Sequence, residues 1–161
     1  MTEEQQYLER AIARYPASVA ATARASLQKL RAIYPGANLL VYDRRQSLPI
    51  GIASAAGGGA VFSVVLYLRW VRFFLLEGAD LEDPDGRLEG TGTQVRSILV
   101  DAEAEILSDP AIKKLIKQAE TMSGRDLRTG PGHILIKSRL SGNQTALATA
   151  RKTTKARRSL D

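Results

Sequence analysis

The 161-residue chain has no cysteine and a single histidine. The first absence removes structural disulfides, thiolate zinc sites and cysteine nucleophiles together, and it fits a reducing compartment. The second leaves His133, at the start of a predicted strand, as the one imidazole that could serve as a general base, in a position where histidine is usually incidental. Ser63 and Ser97 stand in no nucleophile-elbow context. Phosphate-loop motifs are missing too. No Gly-Lys-Ser or Gly-Lys-Thr occurs, and Gly90-Thr91-Gly92 lacks the third glycine of a dinucleotide fingerprint. An EF-hand is excluded, because aligning Gly86 with the loop's invariant glycine puts Leu81 and Gly92 where carboxylates are needed. Enzymatic activity is therefore the class with least support.

The N-terminal stretch MTEEQQYLERAIARYP is acidic and amphipathic and has no export-signal pattern, so the expected setting is cytoplasmic. The uncharged run Ile50 to Leu68 has the length of a membrane span. Its glycine triplet, Gly57 to Gly59, and the β-branched residues after it instead predict two buried strands joined by a turn.

The net charge of +6 is concentrated in the tail. From Lys137 onward seven cations face one carboxylate, and residues 1–136 are neutral. Past Arg139 the chain has almost no large apolar residue, so residues 141–161 are expected to be a disordered basic extension to one domain, residues 1–140. Arg151, Lys152, Lys155, Arg157 and Arg158 could release counterions from nucleic-acid phosphates, although no aromatic interleaves them to stack on bases.

Along the chain, Leu8, Ile12 and Tyr15 predict a short helix before Pro16. Val19, Ala23, Leu27, Leu30 and Tyr34 form the stripe of a second helix, closed by Pro35-Gly36. The period then shortens. Asn38–Tyr42, Leu48–Ser54, Val61–Tyr67, Trp70–Leu76 and Val95–Val100 read as strands, the middle pair leaning towards a hairpin at Leu68-Arg69-Trp70. Asp101 is placed to cap a short helical turn through Leu107. Asp109-Pro110 starts a third helix, with Ile112, Leu115, Ile116, Ala119 and Met122 as its buried stripe and Ser123-Gly124 as its end. A Gly130-Pro131-Gly132 turn introduces a last, edge strand, His133–Ser138. Together these predict an α+β fold, a mostly antiparallel sheet of five to six strands packed with N-terminal and C-terminal helices. Trp70 and Phe73-Phe74 are expected in the core or an interface.

The segment LEDPDGRLEGTG, Leu81 to Gly92, concentrates candidate sites. Asp83-Pro84-Asp85-Gly86 has tight-turn chemistry. The amides around Gly90, Thr91, Gly92 and Thr93, with Arg96 and the cations Arg69 and Arg72, predict a concavity for a small anion or metabolite. Asp80, Glu82, Asp83, Asp85 and Glu89 are the candidate hard-oxygen ligands for a metal such as iron.

The succession Arg69-Trp70-Val71, Phe74-Leu75, Gly78-Ala79-Asp80-Leu81, Asp83-Pro84-Asp85-Gly86, Leu88-Glu89-Gly90-Thr91-Gly92 and Val95-Arg96, then Asp109-Pro110 and Leu115-Ile116, resembles the YdhG-like family of bacterial domains of unknown function over roughly residues 20–122. The resemblance implies a compact α+β domain, a cytoplasmic setting, no membrane span and no established enzymatic activity. Frataxin-like iron chaperones in the wider superfamily imply iron handling by the acidic loop. The resulting expectation is a non-enzymatic binding module for an unidentified anion or metabolite, with nucleic-acid association by the tail and iron handling by the loop as alternatives. No cofactor is identified, and homo-oligomers remain open.

Overall fold

The computed structural model describes residues 1–140; residues 141–161, and with them the candidate nucleic-acid residues Arg151, Lys152, Lys155, Arg157 and Arg158, lie outside the described residues. The fold is α+β. Helix α1 (Glu3–Ala13) opens with a capping box, in which the Thr2 hydroxyl accepts from the Gln5 amide and the Gln5 side chain accepts from the Thr2 amide. Pro16 separates it from α2 (Ala17–Ile33), whose predicted stripe is buried.

Six strands follow: β1 (Asn38–Tyr42), β2 (Leu48–Ala53), β3 (Ala60–Leu66), β4 (Val71–Leu75), β5 (Arg96–Leu99) and β6 (Ile134–Ser138). The first five form an antiparallel meander, and β6 adds in parallel beside β1, giving the order β5-β4-β3-β2-β1-β6. The uncharged run Ile50–Leu68 supplies β2 and β3, with Gly57 and Gly58 at positive φ in the turn between them. No helix of the described residues is long and apolar enough to cross a membrane. The β3–β4 connection is a tight hairpin, with the Tyr67 amide donating to the Trp70 carbonyl.

Helix α3 (Pro110–Ser123) carries the chain from the β5 edge back to the β6 edge, so it lies before the last strand instead of closing the domain. Asp109 caps it through the Ala111 amide, Pro110 takes the first turn, and Gly124 ends it in the left-handed conformation. The stripe is one residue shorter than its period predicts. Ile112, Leu115, Ile116 and Ala119 are buried, while Met122 is half exposed where the last turn passes the edge of the core.

Register and alternation sort the strand residues into two faces. Rows such as Ile134-Leu39-Ile52-Phe62-Leu75 and Ile136-Val41-Ile50-Val64-Phe73-Ile98 face the helices. The buried stripes of all three helices join these rows in one core, where Phe62 stacks between Tyr34 and Phe73 at centroid distances of 5.9 and 5.5 Å. The alternate rows, Leu135-Leu40-Gly51-Ser63-Phe74-Ser97 and Pro49-Val65-Arg72-Leu99, lie on the opposite face. Leu40 and Val65 take no part in the helix-covered core.

Buried charge fixes α1 to the end of β1. The side chain of Asp43 is fully buried; its oxygens accept from Arg14 Nη2 at 2.6 Å and from the Tyr7 hydroxyl at 2.7 Å. Burial first, then the bond to Asp43, pushes the Tyr7 hydroxyl above its ordinary pKa.

Candidate functional site

The acidic loop follows a short 3-10 turn, Gly78–Asp80, and its own hydrogen bonds account for most of its chemistry. Asp83 Oδ1 accepts from the Arg87 amide and Oδ2 from the Leu88 amide, both at 2.9 Å, while Gly86 supplies the positive φ that closes the turn. The loop is also fastened to α3. The Glu82 amide donates to Gln118 Oε1 at 2.7 Å, and Arg87 reaches both oxygens of Asp109 at 3.2 and 3.3 Å. That guanidinium, followed by the helix amides, holds the Asp109 carboxyl below its ordinary range.

A cleft of about 450 Å³ lies between loop and helix, lined by Glu82, Asp85, Arg87, Lys114 and Lys117 among others. Its charges are mixed. The five candidate metal ligands do not converge: Asp83 is committed to backbone amides, Glu89 to an arginine, and Asp80, Glu82 and Asp85 are exposed. Among the described residues no group of three or more acidic or histidine side chains is placed to hold a metal ion.

The predicted anion concavity is likewise taken apart by the sheet. Arg69 sits exposed in the β3–β4 hairpin, at the end of β4 remote from Arg96, which pairs with Leu75. Arg72 pairs with Leu99 and Arg96 with Leu75; Leu75 lies three positions after Arg72, so alternation sends the two guanidiniums to opposite faces. Arg96, on the helix side, donates through Nη1 to the carbonyls of Gly92 at 2.8 Å and Val95 at 2.9 Å. It staples the loop. Gly90 is required there, because its φ is +137° and a Cβ would meet the Val95 carbonyl oxygen at 3.1 Å. Thr91 and Thr93 are exposed.

Arg72 has a different environment, on the face without helices. Its Nε donates to Ser97 Oγ at 3.0 Å, and its Nη2 meets Glu89 Oε1 at 2.5 Å. Glu89 is held at the sheet edge by reciprocal backbone bonds with Ser97. Its side chain is 66% exposed, whereas that of Arg72 is 22% exposed. The arrangement is a half-buried guanidinium, oriented by a serine hydroxyl, that holds an exposed carboxylate from the solvent side.

Around Arg72 lie aromatic residues, of which motif reading singled out Trp70 and Phe74 but not Tyr42 or Tyr67. Tyr67 has its hydroxyl pKa raised by burial, and the positive fields of Arg72 and Arg44 oppose that rise. Arg44 stands 5.4 Å from the centroid of the Tyr42 ring. Trp70, predicted for the core or an interface, is 50% exposed beside Tyr67. Phe73 is buried as expected, and its neighbour Phe74 points to the other face, half-buried. The signal was the alternation Trp70, Arg72, Phe74, legible only once the buried face of β4 is known.

A second polar cluster, also unforeseen, is architectural. The Tyr34 hydroxyl donates to Glu120 at 3.0 Å, and Arg128 pairs with the same carboxylate while lying over the Tyr34 ring. Burial and then Glu120 push the tyrosine up, and Arg128 holds Glu120 below its ordinary range. His133 is exposed and takes part in the sheet through its backbone. No family model, curated protein or solved structure matches this chain, so the site is defined by its own geometry.

Proposed function

We propose that the chain is a non-enzymatic binding protein for anionic ligands, with Arg72 and Ser97 on the open face of the sheet as its primary anion contact. The observation that carries this reading is the Glu89 carboxylate, which already occupies the position an incoming oxyanion would take, 2.5 Å from Arg72 Nη2. A charge-assisted contact of this kind favours carboxylate or phosphate oxygens. Glu89 is largely exposed, so ligand exchange costs little packing. The adjacent Gly90–Thr93 segment is exposed. Membership of the YdhG-like family belongs to the same proposal and rests on the succession from Arg69 to Arg96 in the sequence.

Titration with inorganic phosphate, followed by NMR shifts of the Arg72 and Ser97 resonances, tests the reading. Arg72→Gln should abolish saturable shifts. Glu89→Gln should tighten binding by about five- to ten-fold, because it removes a competing internal anion whose pairing is worth roughly 1 kcal/mol. Unchanged affinity in Arg72→Gln would refute the assignment.

A further inference from the structure

The face of the sheet that carries Arg72 also carries four of the chain's nine aromatic residues: Tyr42, Tyr67, Trp70 and Phe74. Among the described residues no helix packs on it. Trp70 and Leu99 are about half exposed, at 50% and 49%, and Tyr42, Tyr67 and Phe74 are half-buried. Arg44 lies over the Tyr42 ring, and Lys137 is exposed at the irregularity of β6 opposite Tyr42. Between Leu40 and Phe74 the row carries only Gly51 and the small, buried Ser63, with the Ala60 side chain close over Gly51.

We infer that this face binds single-stranded nucleic acid, the bases stacking on the exposed rings and the phosphates meeting Arg44, Arg72 and Lys137. The inference rests on the anion-binding reading and names its ligand class. Rings on one sheet face interleaved with cations suit a strand whose bases are free to splay, because stacking needs only a π-face and the backbone needs only positive charge. Charge disfavours the other occupants. A second copy docked face to face would bring together two faces that each carry Arg44, Arg72 and Lys137. The chain's own segment 141–161, with five cations and one carboxylate, has the same sign as the face.

The test uses the full chain with Arg151, Lys152, Lys155, Arg157 and Arg158 replaced by Gln, so that tail electrostatics do not obscure the sheet. Fluorescence anisotropy of a labelled oligothymidylate of about 12 nucleotides is compared with competition by inorganic polyphosphate and by a duplex of the same length. Saturable oligothymidylate binding is expected, with Trp70→Ala and Tyr67→Ala each weakening it about ten-fold, the cost of one lost stack. Both variants should leave the affinity for polyphosphate unchanged. Quenching of the single tryptophan by the oligonucleotide, in the protein with Trp70 intact, gives a second readout that needs no substitution. Equal competition by polyphosphate with no effect of either variant would overturn the stacking inference and leave the anion reading standing. Loss of binding on neutralising the tail, or duplex binding as tight as single-strand binding, would overturn it as well. If phosphate titration also shows no Arg72 response, both readings fail.

Discussion

Replacing Asp43 with alanine should be among the most costly single changes in the domain. The side chain is fully buried and accepts from Arg14 Nη2 through both oxygens and from the Tyr7 hydroxyl, so its loss breaks a buried ion pair and a buried hydrogen bond at the helix-to-sheet contact. Breaking a buried pair by removing one partner costs about 3–5 kcal/mol. Arg14 keeps 21% of its side-chain exposure. Water can therefore reach part of the guanidinium, which puts the expected loss at the lower end, about 3 kcal/mol. For a domain of this size each kcal/mol moves the midpoint by roughly 2–4 °C, so Tm should fall by about 6–12 °C. Urea and thermal melts followed by circular dichroism measure both quantities. Tyr7→Phe, which removes one bond to a charged acceptor and leaves the ion pair, should cost about 1.5 kcal/mol. The combined change Arg14→Met with Asp43→Leu should recover most of the single-variant loss, because it removes both charges and keeps the volume. A loss below about 1 kcal/mol in Asp43→Ala would refute the reasoning, since it would mean that the carboxylate is solvated in the native state.

Gly36→Ala should destabilise by about 1–3 kcal/mol, read from the urea midpoint, because the added Cβ would lie 2.5 Å from the Arg128 carbonyl oxygen and 2.7 Å from the Thr129 carbonyl carbon, where backbone must move. Acid should weaken the fold in a defined window. Glu120 is held low by Arg128, and Asp109 by Arg87, so their folded pKa values lie below the unfolded ones. Their stabilisation is complete above the ordinary carboxylate range near pH 4 and is lost as pH falls through the depressed folded values. Urea midpoints should therefore drop steeply below about pH 4, and Glu120→Gln should flatten that slope; an unchanged slope would assign the acid sensitivity elsewhere.

How much could be read in advance depended on whether the signal was local. The Asp109-Pro110 start and Gly124 end of α3 were legible because capping is set by a few neighbouring residues, whichever sheet the helix lands on. The hairpin at Leu68-Arg69 and the turn at Asp83 to Gly86 were legible for the same reason. Met122 was misplaced because periodicity does not reveal where a core ends. The candidate site fared worse. Arg69, Arg72 and Arg96 are close in sequence and share a charge, but strand alternation and the β4–β5 register set Arg72 and Arg96 on opposite faces and leave Arg69 at the far end.

The sequence by itself determined the elements, their order, the α+β class and the location of excess charge, since propensity, period and capping act over a few residues. The tertiary structure decided that β6 joins β1 in parallel, that all three helices share one face, and that Tyr42, Tyr67, Trp70 and Phe74 therefore share the other with Arg72. The physical reason is that a strand has two faces, and which one meets the helices is fixed only when the whole core is assembled.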